Sequence, residues 1–309
     1  MPNYRLNKTE HVDHTNRISF KFDGKTYFGF KGDTLASALL ANGVHLIGRS
    51  FKYHRPRGIM SCGAEEPNAI CQINGSTDLS EPNVRATELE LYEGLEATSQ
   101  NCWPSVNFDI GGINNLISNF IPAGFYYKTF MWPKSFWKNV YEPLIRQSAG
   151  LGKSPTVSDP EIYDHKHAHC DVLVIGGGIS GIMSAKLAAK NNLNTILVDD
   201  KNSLGGSTIY QNNENFKIND EKSKNWLSKE IEQLNKLKNL TIKTRTSLAA
   251  YHSYNYLLAK ENLTDHLSKN KNNNSIRQRL WKIRAKKVII ATGAIERPLV
   301  FNNHIRHLF

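Results

Sequence analysis

Alternating apolar and polar positions near the start of the chain predict a β-hairpin. The alternation begins after a polar stretch of about 16 residues, and a short apolar segment returns after Asp23-Gly24, a dipeptide typical of a tight turn. The returning segment is Tyr27–Phe30, and the alternating apolar residues before the turn are Ile18, Phe20 and Phe22.

A short helix is predicted next, and its position completes a recognisable order of elements. Asp33 or Thr34 can cap a helix over the apolar positions 35–40, and Asn42-Gly43 is a typical helix end. A loop rich in Gly and containing Cys62 then leads into an apolar strand at 69–73. Hairpin, capped helix, loop and strand together indicate a ferredoxin-like β-grasp domain over residues 1–97.

Residues 98–168 form a connecting segment rich in aromatic residues and proline. Its aromatic groups are Trp103-Pro104, Phe125–Tyr127 and Phe130–Pro133. Exposed aromatic patches usually mark contacts, so we expect this segment to pack against another domain or a partner. Gly150–Pro155 and the polar residues that follow predict a domain boundary near residue 169.

Strands and helices alternate after residue 169, which indicates a Rossmann-like α/β domain over 169–309. Two apolar strands flank a first helix, and a second amphipathic helix leads to a third strand. A meander and a last apolar strand follow. The predicted strands are 171–175, 195–198, 240–244, 256–260, 280–283 and 288–291, and the predicted helices are 179–191 and 224–237.

The loop between the first strand and helix fits the G-x-G-x-x-G pattern of dinucleotide-binding domains. Gly176 permits the tight turn, Gly178 lets the backbone approach a pyrophosphate, and Gly181 allows close packing of helix on strand. The helix N-terminus offers N–H groups to phosphates. The complete candidate loop is Gly176, Gly177, Gly178, Ile179, Ser180 and Gly181.

An acidic residue follows the second strand, about 20 residues beyond the loop, where a ribose hydroxyl would be bound. Asp199, with Asp200 beside it, favours a ligand without a 2′-phosphate. The alternative is that both carboxylates only cap a turn.

Two further short motifs refine this assignment. Gly205, Gly206 and Ser207 follow the acidic residues, and Thr292-Gly293 ends the last strand. Both resemble the pattern of the glutathione-reductase-like superfamily, which binds FAD or NAD(P). An ordinary turn at Thr292-Gly293 is the alternative, and the fingerprint does not separate the two ligands.

Composition and charge exclude several classes of function. The net charge of +11 is dispersed among polar residues without a dense basic block, so we expect no nucleic-acid partner. No apolar run reaches membrane-spanning length, and the first residues lack a signal peptide, which predicts a cytoplasmic protein. The four cysteines match neither a zinc motif nor a C-x-x-C redox motif.

Three other groups of side chains have the composition of a functional site but a weaker sequence context. His165, His167 and His169 could chelate a metal, but a polar linker is the better interpretation, and no metal site is predicted. Arg55 and Arg57 could face a flavin phosphate at a subunit contact or be solvated. Glu65-Glu66 is not expected to act as an acid–base pair, because adjacent residues of an extended chain point in opposite directions.

Three separated segments resemble signatures of the α subunit of heterotetrameric sarcosine oxidase. The first runs from Arg49 to Ala69, the second is Ala123–Pro133, and the third is 291–301. The resemblance extends over about residues 17–303.

The resemblance implies an iron–sulfur fold that has lost its cluster. Related cyanide synthase and opine oxidase subunits carry a [2Fe–2S] cluster in the equivalent domain, and such a cluster needs four thiolates. Here Cys62 and Cys71 lie near the loop, whereas Pro67 and Ile70 occupy positions where further ligands would be required. A ferredoxin-like domain without a cluster is therefore expected.

The resemblance also implies a function. The enzyme would oxidatively demethylate sarcosine to glycine, with formaldehyde or methylenetetrahydrofolate and hydrogen peroxide as products. FAD and FMN would reside on a flavin-bearing β subunit or its interface, with small γ and δ subunits completing the oligomer. This chain would bind NAD, with FAD as the alternative, and would contain no catalytic residue.

Alternatives to this function remain open. They are an FAD-dependent opine or amine dehydrogenase subunit, a cyanide-synthase-like subunit, and a non-catalytic truncated scaffold. The family continues much further, into a tetrahydrofolate-binding domain missing here, and its sequence pattern is lost at His304. We therefore expect either an interrupted gene or a short subunit completed by a second polypeptide.

Overall fold

The computed structural model describes residues 4–5, 12–74, 80–120, 124, 130–209, 216–267 and 275–295. The chain divides into two compact units, one comprising 1–162 with 264–275 and the other 163–263 with 276–309. Parts of the second and third family-like segments, and the position His304, lie outside the described residues.

The first unit contains a five-stranded mixed sheet, against which a short helix at Leu35–Ala41 packs. The strand order is β2-β1-β7-β5-β6, with β1 antiparallel to β2 and parallel to β7. The elements are β1 Asp13–Phe22, β2 Lys25–Lys31, α1 Leu35–Ala41, β3 Gly48–Arg49, β4 Pro56–Arg57, β5 Ile70–Asn74, β6 Ser80–Arg85 and β7 Glu96–Ser99.

The predicted hairpin and capped helix are confirmed. The Thr34 hydroxyl accepts a hydrogen bond from the Ser37 backbone, and the Ser37 hydroxyl accepts one from Thr34, which forms a capping box. Helix α1 buries its apolar face in a core shared with the sheet, whose centre includes Phe20, Leu35 and Leu39. The ferredoxin-like fold is therefore stabilised by an ordinary apolar core between the helix and the sheet.

The connecting segment contains short helical turns and many exposed apolar side chains. Its elements are 3₁₀ turns at Ile110–Gly112 and Ser118–Phe120, α2 Ile113–Leu116, a π-helix Trp137–Tyr141 and α3 Glu142–Ser148. The predicted aromatic group 125–127 lies outside the described residues. Within the described part, Trp103, Leu116 and Trp132 are 68%, 83% and 82% exposed. Such exposure is what a contact surface requires.

The second unit is a six-stranded sheet in the order β12-β9-β8-β15-β14-β13. Strands β8, β9 and β12 are parallel, whereas β13, β14 and β15 form an antiparallel meander. The elements are β8 Ile162–Ile175, α4 Ile179–Lys190, β9 Thr195–Val198, β10 Lys217–Ile218, β11 Glu221–Lys222, α5 Ser223–Asn235, β12 Leu240–Lys243, β13 Thr246–His252, β14 Tyr256–Asn262 and β15 Ile276–Ile290, with 3₁₀ turns at Gly206–Ile209 and Ser253–Asn255.

Two strands are longer than the sequence predicts. The segments expected as separate strands at 280–283 and 288–291 form one continuous strand, β15, and the expected polar linker before Asp171 is the first half of β8. The basic residues between them do not interrupt β15, because Ile283 and Ala285 face the core while Arg284 and Lys286 face solvent. Helices α4 and α5 contribute to one apolar cluster with the sheet. Within the described ranges, every helix is too short or too polar to cross a bilayer.

Candidate dinucleotide-binding site

The glycine-rich loop joins the end of β8 to the start of α4, and its glycines are required by space as well as by conformation. Gly176 has φ +100°, and a Cβ atom there would lie 2.4 Å from the Ala291 carbonyl oxygen. A Cβ atom on Gly181 would lie 1.8 Å from the Gly176 carbonyl oxygen. Residues larger than glycine at either position would therefore push the loop from its strand or the helix from the loop.

Gly178 is the N-cap of α4 and has extended backbone geometry. Because glycine has no side chain to cap the helix, the first N–H groups of α4 keep their donor capacity for a ligand. Ile179 and Ser180 form the first turn, where Ile179 is half-buried and Ser180 is exposed. The loop thus has the geometry of a phosphate-binding helix start.

Asp199 follows β9 directly and is only 7% exposed. Its Oδ2 accepts a hydrogen bond from the Gly177 backbone N–H at 2.5 Å, and its Oδ1 accepts one from the Lys201 backbone N–H at 2.8 Å. Burial raises the pKa of Asp199, while these two N–H donors act in the opposite direction. The carboxylate is therefore held in one orientation against the glycine-rich loop.

Gly205 and Gly206 pack against the same loop. The Gly205 backbone N–H donates to the Gly177 carbonyl at 2.8 Å, and a Cβ atom on Gly206 would lie 2.9 Å from the Gly178 Cα atom. Thr208 was not predicted from the sequence, yet it is buried and its hydroxyl donates to the Gly205 carbonyl at 2.5 Å. A threonine two residues after the Gly205-Gly206 pair was the available signal.

The remaining predicted residues lie at the edge of the candidate dinucleotide-binding site. Thr292 follows β15, and its Cα atom would be 3.2 Å from a Cβ on Gly176, so it borders the loop. Asp200, Ser207 and Gly293 are exposed. The structure therefore brings Gly176, Gly177, Asp199 and the Gly205-Gly206 pair together. The other three residues lie on the solvent side of this group.

Strand order puts the site at the position where α/β sheets bind nucleotides. Strand β8 lies between β9 and β15 in the sheet. The chain first adds β9 and β12 on one side of β8 and later adds β15 on the other side. Ligands bind at such a switch point, beyond the carboxyl ends of the strands. The glycine-rich loop and Asp199 both lie at these carboxyl ends.

The cysteines of the first unit do not fit an iron–sulfur cluster. Cys62 is exposed, Cys102 is half-buried beside Ser99, and Cys71 is fully buried on β5, where burial raises its pKa to about 12. Cys170 belongs to β8 in the second unit. Three thiols, one of them a core residue, fall short of the four thiolates that a cluster needs.

The other candidate groups have ordinary structural surroundings. His165 and His167 lie on β8 with ring centroids 6.4 Å apart, and the described residues contain no group of three potential metal ligands. Arg55 donates to the Asn115 side chain at 2.8 Å and stacks on Tyr53. Arg57 lies on β4 and is half-buried.

Two family models match separate parts of the chain. Residues 15–102 match a 2Fe-2S iron-sulfur cluster binding domain, and residues 171–292 match an FAD dependent oxidoreductase. The first match agrees with the ferredoxin-like fold, and the second includes the glycine-rich loop, Asp199 and the end of β15.

Curated relatives match nearly the whole chain. The chain is 47% identical over 99% of its length to sarcosine oxidase subunit alpha of Rhizobium meliloti (strain 1021), of which it covers 30%. It is 31% identical over 96% of its length to the subunit alpha of Corynebacterium sp. (strain U-96), of which it covers 26%. The chain therefore spans less than a third of the length of these relatives.

A solved structure shares the fold. L-proline dehydrogenase from P. horikoshii matches 96% of this chain and 45% of its own with a TM-score of 0.58 and 20% identity. At this identity the likeness shows the fold alone. The sequence relatives alone carry the assignment: the chain is homologous to a part, less than a third, of the sarcosine oxidase α subunits.

Proposed function

We propose that this chain is part of a sarcosine-oxidising oxidoreductase and that its second unit binds NAD. The observation that carries dinucleotide binding is the buried Asp199 carboxylate, held at the end of β9 by the N–H groups of Gly177 and Lys201. The choice of NAD over FAD follows from the resemblance to sarcosine oxidase α subunits. An aspartate at this position accepts hydrogen bonds from ribose hydroxyls and repels a 2′-phosphate. Homology to sarcosine oxidase α subunits over 99% of the chain supports the reaction class.

Each element of the site has a separate binding role in this proposal. The N-terminus of α4, capped by Gly178, receives the pyrophosphate, because its N–H groups and helix dipole favour anions. Gly176 and Gly181 let β8, β15 and α4 pack closely enough for the backbone to reach the ligand. Gly205 and Gly206 close the adjacent side, and Asp199 orients the ribose. NAD, when bound, supplies a nicotinamide ring, but we assign it a structural role.

The reaction itself is assigned to another subunit. Oxidative demethylation of sarcosine would yield glycine, formaldehyde or methylenetetrahydrofolate, and hydrogen peroxide, with FAD and FMN held by a β subunit. In this division Asp199 binds and orients the nucleotide, because its carboxylate is buried and each of its oxygen atoms already accepts a backbone hydrogen bond. We therefore place no catalytic residue in this chain.

We propose that the connecting segment contacts the flavin-bearing subunit. Trp103, Phe108 and Leu116 are 68%, 69% and 83% exposed, which is costly for isolated apolar side chains in water. The segment is nevertheless held in place, since Arg49 donates to the Val106 carbonyl at 2.8 Å and His54 pairs with Asp109 at 2.7 Å. A fixed apolar surface is suited to a permanent partner.

We further propose that the ferredoxin-like domain carries no cluster and that the chain comprises the domain 1–97, the connecting segment 98–168 and the dinucleotide-binding domain 169–309. The proposal that the domain carries no cluster is argued from the positions of the cysteine thiols described above. Without four thiolates that the fold brings together, this domain would have no iron–sulfur cluster through which to relay electrons.

FAD is the second candidate ligand, because residues 171–292 match a family of FAD dependent oxidoreductases. The experiment that separates the two ligands is to produce the chain with a flavin-bearing partner, denature the complex, and record the absorbance and mass of what each chain releases. NAD from this chain with flavin from its partner supports the proposal. FAD from this chain would contradict it and favour a flavin-dependent amine or opine dehydrogenase subunit.

A third candidate is a scaffold without enzymatic function, which the exposed apolar side chains of the connecting segment would also suit. Co-purification with the partner but no bound nucleotide on this chain would favour that function over the other two.

A further inference from the structure

A buried carboxylate lies at the centre of the loop between β4 and β5. Glu66 is 1% exposed, whereas its neighbour Glu65 is half-buried. The Glu66 Oε2 atom accepts from the backbone N–H groups of Met60 and Ser61 at 2.7 and 2.6 Å, and from the Ser61 hydroxyl at 3.3 Å. Its Oε1 atom accepts from the N–H groups of Asn68 and Ala69 at 2.8 and 3.2 Å.

This arrangement satisfies a buried negative charge with five hydrogen bonds. A carboxylate removed from water is destabilising unless its lone pairs are occupied, and hydrogen bonds to a charged acceptor are stronger than neutral ones. The donors come from two stretches of the loop that are separated in sequence. One carboxylate therefore joins residues 60–61 to residues 68–69 and closes the loop.

The closed loop is tied to the rest of the sheet. The Ala69 carbonyl accepts from the Ala86 N–H at 2.9 Å, and the Gly63 carbonyl accepts from the Thr87 hydroxyl at 2.8 Å. Ala69 itself is fully buried and precedes β5. The loop that Glu66 closes is therefore hydrogen-bonded to residues 86–87 and leads directly into β5.

The same loop lies within the match to a 2Fe-2S cluster binding domain. A cluster is an anionic group that protein N–H donors also stabilise through its sulfur atoms. Here converging N–H groups are already occupied by a carboxylate of the chain, and Cys62 is exposed.

We propose that the Glu66 carboxylate, and not an iron–sulfur cluster, is the anion that holds this loop in its conformation. Removing its side chain would then leave a cavity with N–H donors that binds a small carboxylate such as formate. This inference rests on the proposal that the domain holds no iron–sulfur cluster. Its consequence is a domain whose loop keeps its shape independently of iron and of the redox state of the cell.

The test uses the full chain with Glu66→Ala and Glu66→Gln, and Glu88→Gln as a control. Glu88 lies in the same unit and pairs with Arg85 on the surface, so its substitution removes an equal charge without opening the loop. Hydrogen–deuterium exchange is followed at residues 60–61 and 68–69. Both Glu66 variants should exchange at least about tenfold faster there, because each N–H loses a charged acceptor.

Formate supplies the decisive comparison. Added formate should restore slow exchange in Glu66→Ala but not in Glu66→Gln, whose side chain still fills the cavity, and sodium chloride at equal ionic strength should restore neither. Unchanged exchange in both variants, or the absence of formate rescue in a folded Glu66→Ala chain, would overturn the role of Glu66 while the cluster-free domain stands.

A measurement on the unmodified chain keeps the inference testable if Glu66→Ala does not fold. The chain is incubated anaerobically with ferrous iron and sulfide, and its iron content and visible absorption are recorded after desalting. If the chain retains no iron, the result supports a loop whose N–H donors are occupied by Glu66. Stoichiometric iron with sulfide-to-iron absorption would overturn both this inference and the cluster-free domain.

Discussion

The Gly177 backbone N–H donates a hydrogen bond to the Asp199 carboxylate at 2.5 Å, which joins the glycine-rich loop to the end of the neighbouring strand. The two residues are 22 positions apart in sequence. The same carboxylate accepts from the Lys201 N–H, so one side chain fixes both turns that border the candidate nucleotide site. Asp199 is therefore a structural part of the site as well as its proposed ribose ligand.

Asp199→Asn should weaken dinucleotide binding by roughly tenfold to 100-fold, because an amide offers one acceptor where the carboxylate offers two charged ones. Isothermal titration with NAD would measure the change. The control is Glu232→Gln, which removes an equal charge from an exposed ion pair with Lys236 on α5. Equal affinity of Asp199→Asn and the unmodified chain would contradict the assigned role.

Gly181→Ala should destabilise the second unit by about 2 kcal/mol or more, since the added Cβ atom would lie 1.8 Å from the Gly176 carbonyl oxygen. Urea unfolding would measure the loss. Gly112→Ala is a suitable control, because φ there is −58° and a Cβ atom would meet nothing within 4 Å. If the two variants unfold at the same urea concentration, the close approach of α4 to the loop is wrong.

The Lys186–Glu230 ion pair joins α4 to α5 at 2.5 Å, with both side chains 11% exposed. Glu230→Leu alone should destabilise the unit by about 3 kcal/mol, because it leaves a buried ammonium group without its partner. Adding Lys186→Met should recover much of this loss, since two apolar side chains can replace a buried pair. A double-mutant cycle in urea would measure the coupling, and purely additive losses would show that the pair contributes nothing as a pair.

The Asp164–Arg279 pair joins the first half of β8 to β15 through hydrogen bonds of 2.8 and 3.0 Å. The Arg279 hydrogen bond holds the pKa of Asp164 below its ordinary value. The stabilisation is therefore present above the pKa of the unfolded carboxyl group and is lost as pH falls through the lower folded pKa. Asp164→Asn should accordingly reduce the fall in stability on acidification.

Thermal unfolding across the acidic range would test this pH dependence. Asp220→Asn, at an exposed turn position, serves as the matched loss of a carboxylate. A steep acid dependence that persists unchanged in Asp164→Asn would show that other carboxylates determine it.

The sequence by itself determined the features that depend on neighbours along the chain. The turn at Asp23-Gly24, the Thr34 cap, the glycine-rich loop and the acid after β9 all follow from short spacings and from the conformations that single residues allow. These local rules are sufficient because each motif contains its own hydrogen bonds or its own steric requirement.

Only the tertiary structure decided the features that depend on distant partners. The polar first half of β8 and the basic middle of β15 resemble linkers in sequence, but they form strands because each lies in a sheet that supplies backbone hydrogen bonds. Glu66 is a polar residue whose burial no local pattern indicates. It is buried because N–H groups from two stretches of its loop converge on the carboxylate, and the packing that makes them converge exists only once the chain has folded.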